Sequence, residues 1–229
     1  MKGGAMKTKP RSINKIVEEQ VQKWQIMRTE KKKATKGIQV ITVSREPGSG
    51  GNLVAKGVSE KLGFDLFHQE VIHEMAKSAK VSGRLLETLD EKGVSVLEDW
   101  ISSLVDDRHL WPDQYLQHLM KVVGAIGKYG QAVIVGRGAN FILPPDKRLS
   151  VRVIAPQDVR TKNVAREFDI PVSEAIKRVL RTESNRKSFI RKYFYADIAD
   201  PVNYDLVINT GTSGINAAVD VVSSALDKF

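Results

Sequence analysis

The 229-residue chain contains no cysteine and only four histidines, at positions 68, 73, 109 and 118. The first absence excludes disulfide scaffolds, thiolate nucleophiles and zinc sites built on sulfur, and the second leaves too few imidazoles for a histidine-rich metal centre. Long apolar runs are missing too. No stretch approaches the roughly eighteen consecutive apolar residues of a membrane span, and the opening MKGGAMKTKPRS lacks the apolar core of a secretory signal. These absences predict a cytoplasmic chain with no membrane partner.

What is present is an ordinary globular composition, 41% hydrophobic and 28% charged, enough to bury one sizeable core. The net charge of +9 is unevenly spread. Residues 1–36 carry eleven Lys/Arg against three Glu, and residues 147–192 carry thirteen against five acids. The remaining segments are net acidic. A cationic segment on a near-neutral body is expected where a multiply charged anion is gripped, and it argues against a nucleic-acid partner spread over the whole surface.

Ile13, Ile16, Val17, Gln20, Val21, Trp24 and Met27 recur at helical spacing, which predicts a helix over 12–28 with one apolar stripe. Such a stripe docks on the body or on a second subunit, so a homodimer through this helix is one expected partner. KKKATKG (31–37) reads as a solvated linker, which divides the chain into a basic segment, 1–36, and a main domain, 37–229.

Within that domain strands alternate with helices. Strands are predicted at 37–44, 64–67, 132–138, 149–156 and 204–210. Helices are predicted at 53–63, 69–79, 83–92, 95–104, 113–128, 157–168, 172–194 and 214–229. This order specifies an α/β fold of three layers, a parallel sheet with helices on both faces, whose ligands bind at the C-terminal ends of the strands.

At the first such end stands SREPGSGGN (44–52), a glycine-rich turn between a strand and a helix. Glycines there permit positive φ and close backbone approach, while the helix start offers free N–H groups to phosphate. Arg45, Gly48, Ser49, Gly50, Gly51 and Asn52 are the candidate phosphate-binding residues. The phosphate-loop pattern G-x-x-x-x-G-K-S/T is broken at three places: Arg45 replaces the first glycine, Gly51 the lysine and Asn52 the hydroxyl that holds magnesium. The missing ammonium must be replaced, by Arg45 or by arginines from the distal cationic segment.

ITVSREPGSGG (41–51), VIVGRGANFILP (133–144), RTESNRKSFIRKYF (181–194) and DPVNYDLVINT (200–210) together resemble the cytidylate kinase-like family, a branch of the P-loop nucleoside monophosphate kinases. The resemblance runs from about Ile38 to the C-terminus, and the family's own glycine loop likewise lacks the lysine. It implies a kinase-like fold, ATP with Mg²⁺, nucleotide substrates and an acceptor-binding arginine at Arg137. The Gly-Arg-Asp motif of true cytidylate kinases reads Gly136-Arg137-Gly138 here, and His68 stands where relatives carry Asp, so two carboxylates are absent.

The resemblance also implies an arginine-bearing lid at 172–194. Planar guanidinium groups grip phosphate bidentately and stay charged. Arg181, Arg186 and Arg191 are the catalytic candidates. On one continuous helix they point to different faces, so a break near Ser184 or Asn185 is expected. Asp205 is a candidate partner for a lid arginine. Trp100, Trp111 and Tyr115 are expected to pack inside a helical insertion at 94–128, and His109 and His118 to be structural. No magnesium ligand can be named. The function these features indicate is transfer of the γ-phosphate of ATP to a nucleoside monophosphate or similar small acceptor. The alternative is a catalytically silent nucleotide-binding module that lost the lysine.

Overall fold

The computed structural model describes residues 13–29 and 38–228, so the linker expected at 31–37 lies outside the described residues. In chain order the elements are α1 (Ile13–Thr29), β1 (Val40–Arg45), α2 (Gly51–Leu62), β2 (Asp65–Phe67), α3 (Gln69–Lys77), α4 (Ala79–Glu87), α5 (Glu91–Asp107), α6 (Gln114–Tyr129) and β3 (Ala132–Val135). Then follow α7 (Ala139–Ile142), β4 (Leu149–Ile154), α8 (Gln157–Phe168), α9 (Val172–Phe194), β5 (Leu206–Asn209) and α10 (Thr210–Ala225). The five strands among the described residues are all parallel in the order β2-β3-β1-β4-β5, with Thr42 opposite Ile134 and Ser44 opposite Arg152.

Period-two alternation divides the central strands between two cores. Ile41, Val43, Val133, Val135, Val151 and Val153 face α2 and α10. On the other face Val40, Ala132 and Ile134 pack with α3, α6, α7 and α9 through Ile72, Met75, Leu119, Met120, Ile142 and Phe194. Toward the C-terminal ends of β1 and β4 this second face changes character. Thr42, Ser44 and Arg152 occupy it, a polar stripe inside the molecule that continues from Ser150 near the start of β4.

Helix α1 spends its apolar stripe on the body. Val17, Val21 and Trp24 are buried in the second core, Trp24 stacks on Tyr129 with ring centroids 4.6 Å apart, and Lys23 Nζ lies 2.6 Å from Asp65. Those three side chains are therefore not available to a second subunit.

Several local expectations are corrected. The helix expected at 83–92 begins at Ala79, because Ser78 caps it by accepting from Val81 N, and ends at Glu87. The next helix begins at Glu91 rather than 95, capped by Asp90. Trp111 is 88% exposed and does not pack in the insertion, since it lies in the extended link before α6. The expected break at 184–185 is absent: α9 runs unbroken for 23 residues, with neither glycine nor proline to interrupt it.

Candidate active site

A cavity of about 310 Å³ lies at the C-terminal ends of β1 and β3, roofed by α9. Its floor is the polar stripe, Thr42 and Ser44. Gly136, Arg137 and Gly138 form one wall, and Thr182, Asn185, Arg186 and Phe189 descend from α9 at helical spacing.

Three guanidinium groups, of Arg45, Arg137 and Arg186, line this cavity, and a fourth, of Arg152, reaches its floor through Ser44. Arg45 ends β1 and is only 5% exposed; its Nε donates to Asn52 Oδ1 at 3.1 Å. Arg186 donates from Nη1 to the Arg45 carbonyl at 2.8 Å, so α9 clasps the end of β1. Arg152, 5% exposed, donates to Ser44 Oγ at 2.7 Å and lies 5.8 Å from the Tyr204 ring centroid. Arg137 sits 5.2 Å above the Phe189 ring, and its Nε is buried with no hydrogen-bond partner. Burial, followed by repulsion from Arg186, pushes Arg45 down to about 9, with Glu70 as the opposing carboxylate. Burial and then Arg152 push Arg186 down to about 10. A protein that collects like charges at such cost has a site suited to a multiply charged anion.

The departures from the phosphate-loop and Gly-Arg-Asp patterns have a steric cause. A Cβ at Gly51 would overlap Arg45 Cβ and lie 3.0 Å from its Cγ and 3.2 Å from Val153 Cβ. The arginine at 45 and the glycine at 51 are thus one exchange: the Cβ and Cγ of Arg45 fill the space from which a lysine at 51 would rise. The same side chain needs Gly136, where a Cβ would stand 2.6 Å from Arg45 Nη1. Gly138 has φ +67° and faces the Phe194 ring, with Cζ at 2.8 Å from an added Cβ. Phe194 fills the space that an aspartate side chain would need.

The glycine turn keeps the conformation its glycines predict, with φ +77° at Gly48 and +76° at Gly50. It is also covered. Asn163 Nδ2 donates to the Gly48 carbonyl at 2.8 Å, Thr210 Oγ1 donates to the Ser49 carbonyl at 2.6 Å, and Arg160 pairs with both Glu46 (3.3 Å) and Glu183 (3.0 Å). Helix α8 and the start of α10 therefore rest on the loop, and Ser49 is 1% exposed.

Of the three lid candidates, Arg186 alone lines this cavity. Arg191 lines a second, wider hollow on another face of α9 with Arg160, Lys187 and Asp197, and Arg181 is exposed outside both. An unbroken helix cannot turn all three to one ligand. Asp205 is corrected as a lid partner: it lies just before β5, 3.3 Å from Arg148, and accepts from Ser150 N and Oγ at 2.7 Å each. That is the far end of the sheet from the lid. His118 Nδ1 lies 2.9 Å from Ser82 Oγ, whereas His109 is exposed.

Arg152, Thr42, Ser44 and Tyr204 were not predicted as site residues. The signal for Thr42, Ser44 and Arg152 is the alternation in ITVSR and LSVRV, which Tyr204, before β5, does not share. The polar phase of that alternation implies a solvated face on an edge-type strand, but in central strands covered on both sides it marks a cavity.

The Cytidylate kinase-like family profile matches residues 40–212. The cytidylate kinase of Thermococcus kodakarensis is 31% identical over 195 residues, covering 85% of this chain and 91% of that protein. The cytidylate kinase of Ignicoccus hospitalis is 27% identical over 187 residues, covering 82% and 98%. Among solved structures, an uncharacterized protein from Eubacterium ventriosum superposes with a TM-score of 0.60 at 23% identity, covering 83% of this chain and 99% of that one. The matched segment holds the glycine turn, the Gly136-Arg137-Gly138 wall and the whole of α9. The chain belongs to the cytidylate kinase-like family.

Proposed function

We propose that this protein is a phosphotransferase that moves the γ-phosphate of ATP onto the phosphate of a small acceptor held in the guanidinium-lined cavity. The observation that carries this reading is the convergence of Arg45, Arg137 and Arg186 in the cavity lining beside the glycine turn, with Arg152 behind them on Ser44. Phosphoryl transfer asks the protein chiefly for positioning and for positive charge against the equatorial oxygens, so a cluster of fixed guanidinium groups suits the task. The acceptor oxygen is anionic, and no general base is required. The bond between the γ-phosphorus and its bridging oxygen breaks as the acceptor oxygen bonds to phosphorus, and ADP departs.

Arg186 has the position of the charge-stabilising residue, because its backbone lies on the roof and its guanidinium at the end of β1. Arg45 takes the place of the absent lysine. Access of ATP to the glycine turn requires α8 to withdraw from Gly48, breaking the Asn163 hydrogen bond and the Arg160–Glu46 pair. Magnesium has no visible set of protein ligands. Asn52, at the hydroxyl position, is engaged by Arg45, and among the described residues no group of three or more His, Cys, Asp or Glu could hold a metal. Magnesium would be carried by phosphate oxygens and water.

The covered loop gives the silent-module alternative its one specific support, and a single experiment separates the two. Coupled ATP turnover is measured with a panel of phosphorylated acceptors for the wild type, Arg186→Ala and Arg191→Ala. Acceptor-dependent ADP release is expected. Arg186→Ala should lower kcat at least about tenfold more than Arg191→Ala, since only the former faces the cavity. ATP binding without turnover for any acceptor would favour the module, and equal loss in the two variants would remove Arg186 from its role.

A further inference from the structure

The cavity is larger than a phosphate requires, and it holds polar groups that its own residues leave unpaired. Thr42 is 2% exposed on a central strand, and its Oγ1 is buried without a hydrogen-bond partner. A buried hydroxyl left unpaired is costly, and in a cavity-lining residue it points to a ligand group that completes it. Three amides also line the cavity, those of Gln69, Asn140 and Asn185. Gln69 Nε2 donates to Glu70 Oε1 at 2.8 Å and Asn140 Nδ2 to the Asn203 carbonyl at 3.3 Å, so both have committed their donors. Asn185 has no hydrogen-bond partner among the described residues, and both ends of its amide are uncommitted.

Asn185 stands at the exposed rim of the cavity, in the middle of α9. Asparagine is a poor helix former because its side chain competes for nearby backbone groups, yet here it makes no such bond. A plain solvated face would be better served there by Gln, Glu or Lys. Phe189 follows one turn later, about 5–6 Å away between Cβ atoms, and with Ile190 and Ile198 it gives apolar surface for a flat ring. A few polar groups that fix orientation beside apolar surface that buries the ring are what a nucleobase asks of a site. At about 310 Å³ the cavity lies at the lower limit for small-molecule sites, which favours a one-ring base over a purine.

The chemistry of the amide then sets which base is read. Turned one way, its carbonyl accepts from the exocyclic amine of cytosine while its NH₂ donates to N3; turned by 180°, it accepts from N3–H of uracil and donates to O4. A carboxylate only accepts, and so would single out the cytosine amine. The lining includes no aspartate or glutamate, and the carboxylate position of the Gly-Arg-Asp motif is Gly138, closed by Phe194. Glu70, which acts on Arg45 and Arg186, stands outside the lining.

We infer that Asn185 reads the Watson–Crick edge of a pyrimidine, so that the acceptor is a pyrimidine nucleoside monophosphate and the cytidine and uridine nucleotides are taken about equally. This rests on the phosphate-accepting site proposed above and names the class of its ligand and the residue that selects it.

The test is calorimetric titration of the full chain with inorganic phosphate, ribose 5-phosphate and the 5′-monophosphates of cytidine, uridine and adenosine, for the wild type, Asn185→Asp and Asn185→Leu. In the wild type the two pyrimidine nucleotides should bind within about fivefold of each other, and each at least about fivefold more tightly than ribose 5-phosphate or the adenosine nucleotide. Asn185→Leu, which keeps the size of the side chain and is a better helix former, should weaken both pyrimidine nucleotides at least about threefold and leave inorganic phosphate unchanged. Asn185→Asp should shift the ratio of the two affinities at least about fivefold toward cytidine; its added charge beside Arg186 weakens every phosphate ligand and cancels in that ratio. The inference is overturned if the wild type separates the two pyrimidine nucleotides by more than about fivefold, or binds them no better than the sugar phosphate or the purine nucleotide. It is overturned equally if Asn185→Leu spares them or weakens phosphate as much, or if Asn185→Asp leaves their ratio unchanged. Those results leave phosphate binding by the wild type intact. Absence of any phosphate binding by the wild type would instead sink the guanidinium site and the inference with it.

Discussion

Restoring the lysine of the phosphate loop, by Gly51→Lys, should damage this protein rather than improve it. The reason is steric. The added Cβ overlaps Arg45 Cβ, stands 3.0 Å from Arg45 Cγ and comes within 3.2 Å of Val153 Cβ. Arg45 cannot swing aside cheaply, because the clash is at the root of its side chain and its tip is tied to Asn52 and crosses Gly136. Overpacking a well-filled interior costs about 1–3 kcal/mol, which for a domain of this size lowers Tm by about 2–12 °C. Removing the obstruction as well, in Arg45→Gly with Gly51→Lys, should recover most of that loss. Thermal unfolding of the wild type, both single variants and the double variant closes the cycle, and a coupling of about 1–3 kcal/mol is expected between two positions in contact. Additive effects, or a Gly51→Lys protein as stable as the wild type, would refute the claim that Arg45 occupies the lysine's space.

Two further outcomes follow from the same geometry. Burial holds the Arg45 guanidinium down to about 9 in the fold, well below its ordinary value, so above about 9 the unfolded chain binds the extra proton and stability rises with pH. Relative to an Arg45→Met control, ligand-free protein should therefore gain Tm from pH 8 to pH 10 while its phosphate affinity falls; a gain shared equally by the control would remove Arg45 as the cause. Trp24→Ala should cost about 3–5 kcal/mol, because Trp24 is 2% exposed and stacked on Tyr129. Denaturant unfolding that changes by less than about 1 kcal/mol would show that α1 contributes little to the core.

The alternation of strands and helices was readable from the amino acids because each element carries its own period. Helices α8 and α9 have the bounds predicted, 157–168 and 172–194. Local signals also placed a positive-φ glycine turn between β1 and α2. Boundaries in the α3–α5 region were less legible. There Ser78 and Asp90 act as caps, and a cap is only distinguishable from any other polar residue once the helix it starts is packed.

By itself the sequence determined the parallel α/β order, the loss of the phosphate-loop lysine and the supply of arginines at 147–192, since these follow from residue type and near-neighbour spacing. Only the tertiary structure decided which arginines meet. Arg45, Arg152 and Arg186 come from β1, β4 and α9 and Arg137 from the turn after β3, and the unbroken α9 admits Arg186 to the cavity while turning Arg181 and Arg191 elsewhere. The physical reason is that a side chain's direction is local, but what it faces depends on the register of β1 with β4 and the packing of α9 across them, and these are contacts between residues more than a hundred positions apart.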